Sequence, residues 1–326
     1  MKSLDQYWNS INFISLVLLP LSVIFYLISR FRKLAYQIGI TASYKSPVPV
    51  IVVGNISVGG TGKTPLIIEL VKQLQALGKK PGVISRGYGG AAHNWPQMVN
   101  EKSNAKTVGD EPQLIFQRTK CPFVAGPNRR DDIELLLKEF ACDVVLSDDG
   151  LQHYAMQRDI EIAVVDAKRK FGNGFCLPSG PLRETVSRLK QVDLVLLNGG
   201  SGDEMSFNMQ AADCYSIGDN QANTKSLSFF SDKTVHAIAG IGNPSRFFSM
   251  LEKNNINVIS HEFEDHYNFK QSDICFDDNL PVLMTEKDAI KCGAFTLKNT
   301  WAVPVKIQLS ESAQNKLNIM FSDLKI

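Results

Sequence analysis

The segment that most constrains the fold is a glycine-rich loop between a predicted buried strand and a predicted amphipathic helix. Residues 47–53 form an apolar, β-branched run, which is typical of a strand buried on both faces of a parallel sheet. A helix is predicted over residues 64–77, because Pro65 suits its first turn and Gly78 its end. The loop at 57–64 joins the two and reads S-V-G-G-T-G-K-T.

This arrangement predicts a phosphate-binding loop. Glycines allow backbone N–H groups to turn inward around phosphate oxygens, and the helix N-terminus adds a favourable dipole. Lys63 is expected to reach the β- and γ-phosphates, and the Thr64 hydroxyl to ligate Mg²⁺. The usual pattern has glycine where this chain has Ser57. The residues expected to bind the nucleotide are Ser57, Val58, Gly59, Gly60, Thr61, Gly62, Lys63 and Thr64.

Further predicted strands alternate with helices, which indicates an α/β fold of the P-loop NTPase type with a doubly wound, mostly parallel sheet. These strands lie at 82–85, 142–146, 160–165 and 194–197. A smaller α/β domain is predicted beyond them. It has a helix at 244–253 and strands at 234–239, 257–260, 282–284 and 301–307. The predicted division is 1–40 for an N-terminal helix, 41–190 for the nucleotide-binding kinase domain and 191–326 for a C-terminal domain that closes over the active site.

The N-terminal segment differs from an ordinary globular sequence. Residues 11–28 contain no charge, Pro20 is expected to kink or end the helix, and a basic collar of Arg30, Arg32 and Lys33 follows. Eighteen helical residues reach about 27 Å, slightly less than a hydrocarbon core. We interpret the segment as a monotopic membrane-associated helix. The alternatives are a full span, a buried helix and a signal peptide, and the last lacks a cleavage site.

Composition excludes several classes of function. The net charge of +2 over 326 residues provides no global field to attract nucleic acid. The six cysteines are scattered without a C-x-x-C pair, so neither a disulfide framework nor a zinc site is predicted. We expect reduced thiols in a cytoplasmic setting.

Three polar clusters are candidates for catalysis. Asp148 and Asp149 end an apolar strand, where acids of an open α/β sheet face the ligand crevice, so they are predicted to hold Mg²⁺ unless they form a solvated turn. Gln152 and His153 follow directly. Their side chains are expected either to reach the same crevice or to have a structural role only. The two adjacent acids before a proline at 109–112 by themselves indicate an exposed helix start. The Asp-His-Tyr sequence at 265–267 fits either an imidazole oriented by the aspartate or a polar cluster on the surface.

Taken together, these segments resemble the tetraacyldisaccharide 4'-kinase family of Gram-negative bacteria. The likeness extends from the N-terminal helix to the segment 285–289, and in this family serine is usual at the position of Ser57. Single motifs are weak signals, but their ordered set is specific. It comprises the segments 53–65, 85–89, 109–112, 148–153, 158–159, 177–184, 239–244 and 265–266.

The resemblance implies a monomeric ATP- and Mg²⁺-dependent kinase at the cytoplasmic face of the bacterial inner membrane, in contact with its lipids. The implied acceptor is the 4'-hydroxyl of a tetraacylated glucosamine disaccharide 1-phosphate, and the product is lipid IVA. Asp110 is implied as general base paired with His266, and Glu111, Asp148 and Asp149 as acids of the magnesium and phosphate site. Positions associated with the active-site cleft are matched by Tyr88, Arg129 (or its neighbour Arg130), Gln152, His153, Arg183 and Glu184.

Because Asp110 falls in the predicted nucleotide-binding domain and His266 in the C-terminal one, their pairing is expected to require domain closure. The main alternative function is a membrane-associated P-loop ATPase that acts as a regulatory or transport switch. Such proteins of the deviant P-loop kind carry a second lysine where this chain has Val58. A GTPase lacks support because no N-K-x-D follows a late strand, and a soluble small-molecule kinase leaves the apolar run 11–28 unexplained.

Overall fold

The computed structural model describes residues 7–202, 204–217, 223–293 and 295–324, so residues 1–6 of the predicted N-terminal segment lie outside it. The α-helices in this part of the chain are, in order, α1 (Phe13–Val17), α2 (Leu19–Gln37), α3 (Lys63–Ala76), α4 (Ala105–Val108), α5 (Asp110–Thr119), α6 (Arg129–Glu139), α7 (Pro244–Glu252), α8 (Glu286–Ala289) and α9 (Glu311–Ser322).

The strands are β1 (Val50–Gly54), β2 (Pro81–Ser85), β3 (Gln97–Val99), β4 (Phe123–Ala125), β5 (Val144–Asp148), β6 (Ile160–Asp166), β7 (Leu194–Asn198), β8 (Ser206–Ala211), β9 (Cys214–Ser216), β10 (Thr224–Lys225), β11 (Thr234–Ala239), β12 (Asn257–Glu262), β13 (Val282–Thr285), β14 (Thr300–Val303) and β15 (Val305–Leu309). The strands predicted from the sequence are present, with ends that differ from the prediction by at most three residues.

The chain forms two compact units. The described residues of Met1–Arg86, Gly126–Asn208 and Leu309–Ile326 form the first unit, and those of Gly87–Ala125 and Met209–Gln308 form the second. The single boundary predicted near residue 190 therefore differs from the observed division. Prediction from strand rhythm treats a domain as one continuous segment, whereas this chain passes from one unit to the other four times.

The first unit is built on a parallel sheet with β1 at its centre. Its strands pair in the order β8-β7-β6-β1-β5-β2, and all of these pairings are parallel. Every residue of β1 is buried, as its β-branched sequence predicts for a central parallel strand. One face of α3 is buried as well and contributes Leu66, Ile67, Leu70, Val71 and Leu74 to the core.

The second unit contains a six-stranded sheet in the order β10-β9-β14-β13-β11-β12, and the strands β3 and β4, which pair antiparallel with each other. Strands β11 to β14 are parallel, and β9 and β10 add antiparallel edges. The strand predicted over 301–307 is two strands, β14 and β15. They are separated at Pro304, which has no N–H to donate to a ladder.

The N-terminal segment places its small polar residues inward and its large apolar residues outward. Ser22 donates from Oγ to the carbonyl of Cys176 at 2.7 Å, and both Ser15 and Ser22 are buried. The outward side chains include Phe13 (80% exposed), Ile28 (62%) and Phe31 (68%). The helix is therefore not the buried one weighed as an alternative.

Pro20 is at the first turn of α2, and the break between α1 and α2 falls just before it, as predicted from the fixed backbone of proline. Among residues 7–202, 204–217, 223–293 and 295–324, no helix has the length and apolarity needed to cross a membrane.

Candidate active site

The glycine-rich loop of the first unit connects β1 to α3. Gly62 adopts φ +93°, a left-handed conformation that favours glycine, and Lys63 begins the helix immediately afterwards. A Cβ on Gly62 would lie 2.5 Å from Nδ2 of Asn198, which itself donates to the carbonyl of Thr61 at 2.8 Å. The loop is therefore fixed from behind by a side chain at the end of β7, with its N–H groups at the N-terminus of α3.

Lys63 lies beside an acid at the end of the neighbouring strand. Its Nζ donates to Oδ1 of Asn55 at 3.1 Å and lies 3.5 Å from Oδ1 of Asp149. Arg183 donates to the other carboxylate oxygen, Oδ2, at 2.7 Å. Burial alone raises the pKa of Asp149, but the charges of Lys63 and Arg183 outweigh it and lower that pKa to about 2. Asp149 is thus an anion between two cations at neutral pH.

The segment 177–184 brings Arg183 to this position through backbone contacts. The N–H of Arg183 donates to the carbonyl of Ile56 at 2.7 Å, and the N–H of Val58 donates to that of Pro181 at 2.8 Å. The segment therefore runs along the start of the glycine-rich loop, and the backbone itself makes the contact.

Gln152 and Glu184 meet on the same side of the loop. Gln152 donates from Nε2 to the carbonyl of Asn55 at 3.1 Å and to Oε2 of Glu184 at 3.0 Å. Tyr154 donates its hydroxyl to the other oxygen of Glu184. Burial, and then the nearby Glu184, raises the pKa of Tyr154 far above its usual range, so the phenol stays protonated as a donor.

Arg129 is the buried arginine of the pair at the start of α6. It is 3% exposed and donates to Oδ2 of Asp132 at 3.2 Å and to the carbonyl of Asp148 at 3.1 Å. Arg130 points outward and pairs with Glu134 at 2.8 Å. The sequence left open whether Arg129 or Arg130 matches the family position. Arg129 is the buried arginine, and its guanidinium contacts the backbone of Asp148 at the end of β5.

His153 is held neutral. Burial, reinforced by the positive charge of Arg129, lowers its pKa to about 4, so the imidazole carries no charge at pH 7. Its backbone N–H donates to the carbonyl of Gly150 at 3.0 Å, which closes the turn after β5. His153 therefore offers a neutral ring beside the acidic turn.

The second unit contains the predicted pair of Asp110 and His266. Nδ1 of His266 lies 2.9 Å from Oδ2 of Asp110, which is 4% exposed at the first residue of α5. The hydrogen bond to Asp110 raises the pKa of His266. Burial favours a higher pKa for Asp110, but the contact with His266 and the charges of Lys287 and Lys291 lower it overall. Asp110 is therefore a carboxylate at neutral pH.

The expectation that this pair forms only when two domains close is wrong. Asp110 belongs to the inserted segment Gly87–Ala125, which is part of the same unit as His266. The two side chains are hydrogen-bonded within that unit. The expectation failed because the residues after β2 were assigned to the first domain by their position in the chain.

Other side chains surround this pair. The ring of Tyr88 meets the imidazole edge-on, with centroids 5.1 Å apart. Glu111, expected among the magnesium acids, accepts from Nζ of Lys287 at 3.0 Å, and the same Nζ lies 3.3 Å from Oδ1 of Asp265. Glu111 is thus engaged by a lysine of its own unit.

Several residues of these two sites were not singled out from the sequence. Asn55, Tyr154 and Asn198 support the loop or its neighbours, and each lies within one or two residues of a predicted strand end or motif. Lys287 lies in the segment 285–289, which served only to mark the end of the family likeness. Its acidic neighbours Glu286 and Asp288 were the available signal for a charged cluster.

Magnesium suits the acids of the first unit by their chemistry. Within the described parts of the chain, no group of three or more His, Cys, Asp or Glu side chains is arranged to hold a metal ion. Mg²⁺ needs no such group, because it is commonly bound through one or two carboxylates together with substrate phosphates and water. Asp148 and Asp149, with the Thr64 hydroxyl in the first turn of α3, form a donor set of this kind.

Comparison with known proteins gives a consistent result. A family model described as LpxK, tetraacyldisaccharide-1-P 4'-kinase, matches residues 14–322. A tetraacyldisaccharide 4'-kinase of Pseudoalteromonas translucida is 46% identical over 325 residues, covering 99% of this chain and 98% of that protein. One from Actinobacillus succinogenes is 49% identical over 307 residues, covering 94% of each.

A solved structure also matches nearly the whole chain. The crystal structure of LpxK from Aquifex aeolicus in complex with ATP superposes with a TM-score of 0.77 at 29% identity. The match covers 94% of this chain and 99% of that one.

Proposed function

Since this chain belongs to the tetraacyldisaccharide 4'-kinase family, we propose that it transfers the γ-phosphoryl group of ATP to the 4'-hydroxyl of a tetraacylated glucosamine disaccharide 1-phosphate. The product would be lipid IVA, an intermediate of lipid A biosynthesis. The observation that carries the assignment of the nucleotide site is the contact of Lys63 and Arg183 with Asp149 at the end of β5. Positive side chains aimed at the loop that binds phosphate are what phosphoryl transfer requires.

In the first unit, the loop 57–64 would hold the phosphates of ATP. Its N–H groups and the N-terminus of α3 favour anionic oxygens, and Lys63 would stabilise charge on the transferring group. Thr64, Asp148 and Asp149 would hold Mg²⁺, which when bound neutralises phosphate charge. Glu111, the remaining acid predicted for the magnesium site, contacts Lys287 in the second unit.

When nucleotide binds, Lys63 and Arg183 exchange a protein carboxylate for phosphate oxygens. In the structure both cations contact Asp149, so they are already ordered near the loop. Ordered charges cost little reorganisation during the reaction, which is the main source of electrostatic catalysis. Gln152 and Glu184, bonded to each other beside Asn55, would limit the room around these groups.

In the second unit, Asp110 would accept the proton of the attacking hydroxyl. The acceptor alcohol is a weak nucleophile at neutral pH and needs a positioned base. Asp110 is ionised and bonded through Oδ2 to His266, which can share the positive charge that develops as the proton moves. Tyr88, packed edge-on against the imidazole, would limit rotation of the ring.

The lipid acceptor is proposed to enter along α2. A cleft beside this helix is lined by Tyr26, Arg30, Lys33, Arg183, Glu184 and Arg188. Four of these side chains are basic, which suits a phosphorylated sugar, and Arg183 also contacts Asp149. The apolar side chains on the outward face of α1 and α2 would lie among acyl chains at the cytoplasmic face of the inner membrane.

Only part of the basic collar is free for lipid headgroups. Arg32 donates to the carbonyl of Gln152 at 3.1 Å, and Lys33 donates to the side chain of Gln191 at 2.5 Å. These contacts attach the end of α2 to the nucleotide-binding unit. The collar would thus place the helix relative to the catalytic loop as well as contact anionic lipid.

The experiment that tests the proposal is mass analysis of lipid after incubation with ATP and Mg²⁺. The tetraacylated disaccharide 1-phosphate should gain the mass of one phosphoryl group, and the gain should be absent without magnesium. Free phosphate released at the same rate with and without the lipid would instead indicate the ATPase alternative. A disaccharide already phosphorylated at the 4'-position is the matched control and should gain nothing.

A further inference from the structure

Helix α8 in the second unit is a short, firmly anchored helix. Thr285 donates from Oγ1 to Oδ2 of Asp288 at 2.6 Å and also accepts from the N–H of Asp288, so the first turn is capped. Asp288 also accepts from the N–H of Gly240 at 2.9 Å, and it is fully buried. The position of this helix is therefore fixed by the strands β11 and β13 that precede it.

Lys287 extends from this anchored turn into the acidic cluster around His266. Its side chain is 15% exposed, and its Nζ lies 3.0 Å from Glu111, 3.3 Å from Asp265 and 3.9 Å from Asp110. One ammonium group thus contacts the first turn of α5 and the loop that carries the histidine.

The loop at 265–266 needs such an attachment. His266 has φ +63°, a left-handed conformation that is uncommon for a residue with a side chain. Its neighbour Asp265 is 40% exposed at the side chain, so solvent alone would leave it free to move. The ion pair with Lys287 ties Asp265, and with it His266, to a rigid helix.

We propose that Lys287 is a positioning residue for phosphoryl transfer, which holds the loop of His266 and the first turn of α5 in register so that imidazole and carboxylate meet. This rests on the proposed function of Asp110 and His266. Lys287 touches neither ATP nor the acceptor in this scheme. It acts through Asp265, Glu111 and Asp110.

The charges around His266 support this role. The groups in contact with the imidazole are Asp110 on α5, Asp265 on its own loop and the ring of Tyr88. Lys287 and Lys291 lie beyond them, near Asp110, and Glu111 contacts Lys287. Lys291 is itself paired with Asp288 at 2.8 Å, so it cannot take over the contacts of Lys287. Without Lys287, Asp110 and Asp265 would share one imidazole, and Glu111 would lose the lysine that it contacts.

The test compares full-length Lys287→Met with Lys287→Arg, and uses the exposed Lys298→Met as a matched control. Methionine keeps the length of the stem and removes the charge. We expect kcat to fall about 10- to 100-fold in Lys287→Met, the scale of a catalytic group displaced by about 1 Å, with the KM for ATP unchanged. Lys287→Arg should recover most of the loss, and Lys298→Met should behave as the wild type.

A second readout separates positioning from a general loss of structure. The imidazole of His266 is titrated by NMR on protein labelled with ¹⁵N-histidine, with the His266→Ala spectrum identifying its signal. Because the charge of Lys287 lowers the pKa of His266, its titration midpoint should rise in Lys287→Met and stay near the wild-type value in Lys287→Arg. An unchanged midpoint or an unchanged kcat in Lys287→Met would overturn the proposal.

If Lys287→Met does not fold, Asp265→Asn takes its place. This change removes the charge of Asp265, which lies on an exposed loop and pairs with Lys287. The contact of Lys287 with Glu111 remains. It should lower kcat in the same way with the KM for ATP unchanged, and full activity would overturn the proposal. The titration of His266 needs no substrate, so it tests the role of Lys287 even if the lipid acceptor is assigned wrongly. A wrong acceptor would show in the mass analysis, where the lipid would gain no phosphoryl group.

Discussion

Replacing Asp149 by asparagine removes the anion between two cations, Lys63 and Arg183, at the proposed nucleotide site. Oδ1 of Asp149 lies 3.5 Å from Nζ of Lys63, and Oδ2 lies 2.7 Å from Arg183. Asparagine has nearly the same volume, so the packing stays and only the charge is lost. Lys63 and Arg183 would then face each other without a carboxylate between them.

The size of the effect follows from the pKa of Asp149. Its fall from an ordinary 3.8 to about 2 corresponds to about 2.5 kcal/mol at 1.36 kcal/mol for each pH unit. The side chain is one-third exposed, so solvent screening reduces the contribution to about 1 kcal/mol. A lowered carboxyl pKa stabilises the fold above pH 4, and this contribution is lost as the pH falls towards 2. Between pH 5 and 8 it should be constant.

The assay is thermal unfolding at pH 5, 6.5 and 8, with and without ATP. Without nucleotide, Asp149→Asn should unfold about 2 °C below the wild type at each pH, the shift expected for about 1 kcal/mol in a protein of this size. Added ATP without magnesium should narrow the difference, because its phosphates supply the missing anion. Glu134→Gln, which breaks only the exposed pair with Arg130, should unfold as the wild type does.

Two results would refute this reasoning. Equal midpoints for Asp149→Asn and the wild type without nucleotide would mean that the two cations gain nothing from the carboxylate. A difference that grows or shrinks between pH 5 and 8 would mean that another group titrates in its place.

Three further predictions concern the transfer reaction and the membrane. Lys63→Ala should lower kcat at least 10²- to 10³-fold in a folded protein, since Lys63 stabilises charge on the transferring group. Asp110→Ala and His266→Ala should each lower kcat about 10²- to 10⁴-fold with little change in ATP affinity, and the double variant should lose far less than the product. Phe13→Ser with Phe31→Ser should weaken vesicle binding by more than about 100-fold and raise the KM for lipid, since burying one such ring contributes about 1.5–3 kcal/mol.

Each of these has a contrary result, and the first and the third also have a matched control. Lys72→Ala, on the exposed side of α3, should keep full activity, and a fully active Lys63→Ala would contradict the phosphate-binding loop. Multiplicative losses in the double variant would mean that Asp110 and His266 act independently. Ile319→Ser removes an exposed apolar residue of α9 and should leave vesicle binding intact, whereas intact binding in the phenylalanine variant would point to another membrane surface.

The sequence predicts those parts of the fold in which the local residue pattern agrees with the burial of the element in the folded protein. Residues 50–53 are β-branched and buried, so this short apolar run, which ends at Gly54, indicates a central strand. Pro20 breaks the N-terminal helix wherever that helix packs. The short strands Gln97–Val99 and Phe123–Ala125 carry no such signal, because three residues are too few to reveal a period.

Neighbouring side chains of the candidate site could be predicted where a motif fixes the backbone, and less well where contacts join distant segments. Lys63 and Asp149 follow from their places at strand and helix ends. The contacts of Lys287 with Glu111 and with Asp265 join residues that are 176 and 22 positions apart, respectively. Local spacing contains no information about such contacts, and the assignment of Asp110 to the wrong unit has the same origin.

The division of the chain into units also bears on the order in which the protein is made. The second unit is complete once residue 308 has been synthesised, whereas the first still lacks 309–326. That segment contains α9, whose Ala313, Leu317 and Phe321 are buried. Domains fold as units during synthesis, so the first unit is completed after the second. A ribosome that stalls in α9 would hold a finished second unit and an open, apolar first one, which is a form suited to chaperone binding and proteolysis.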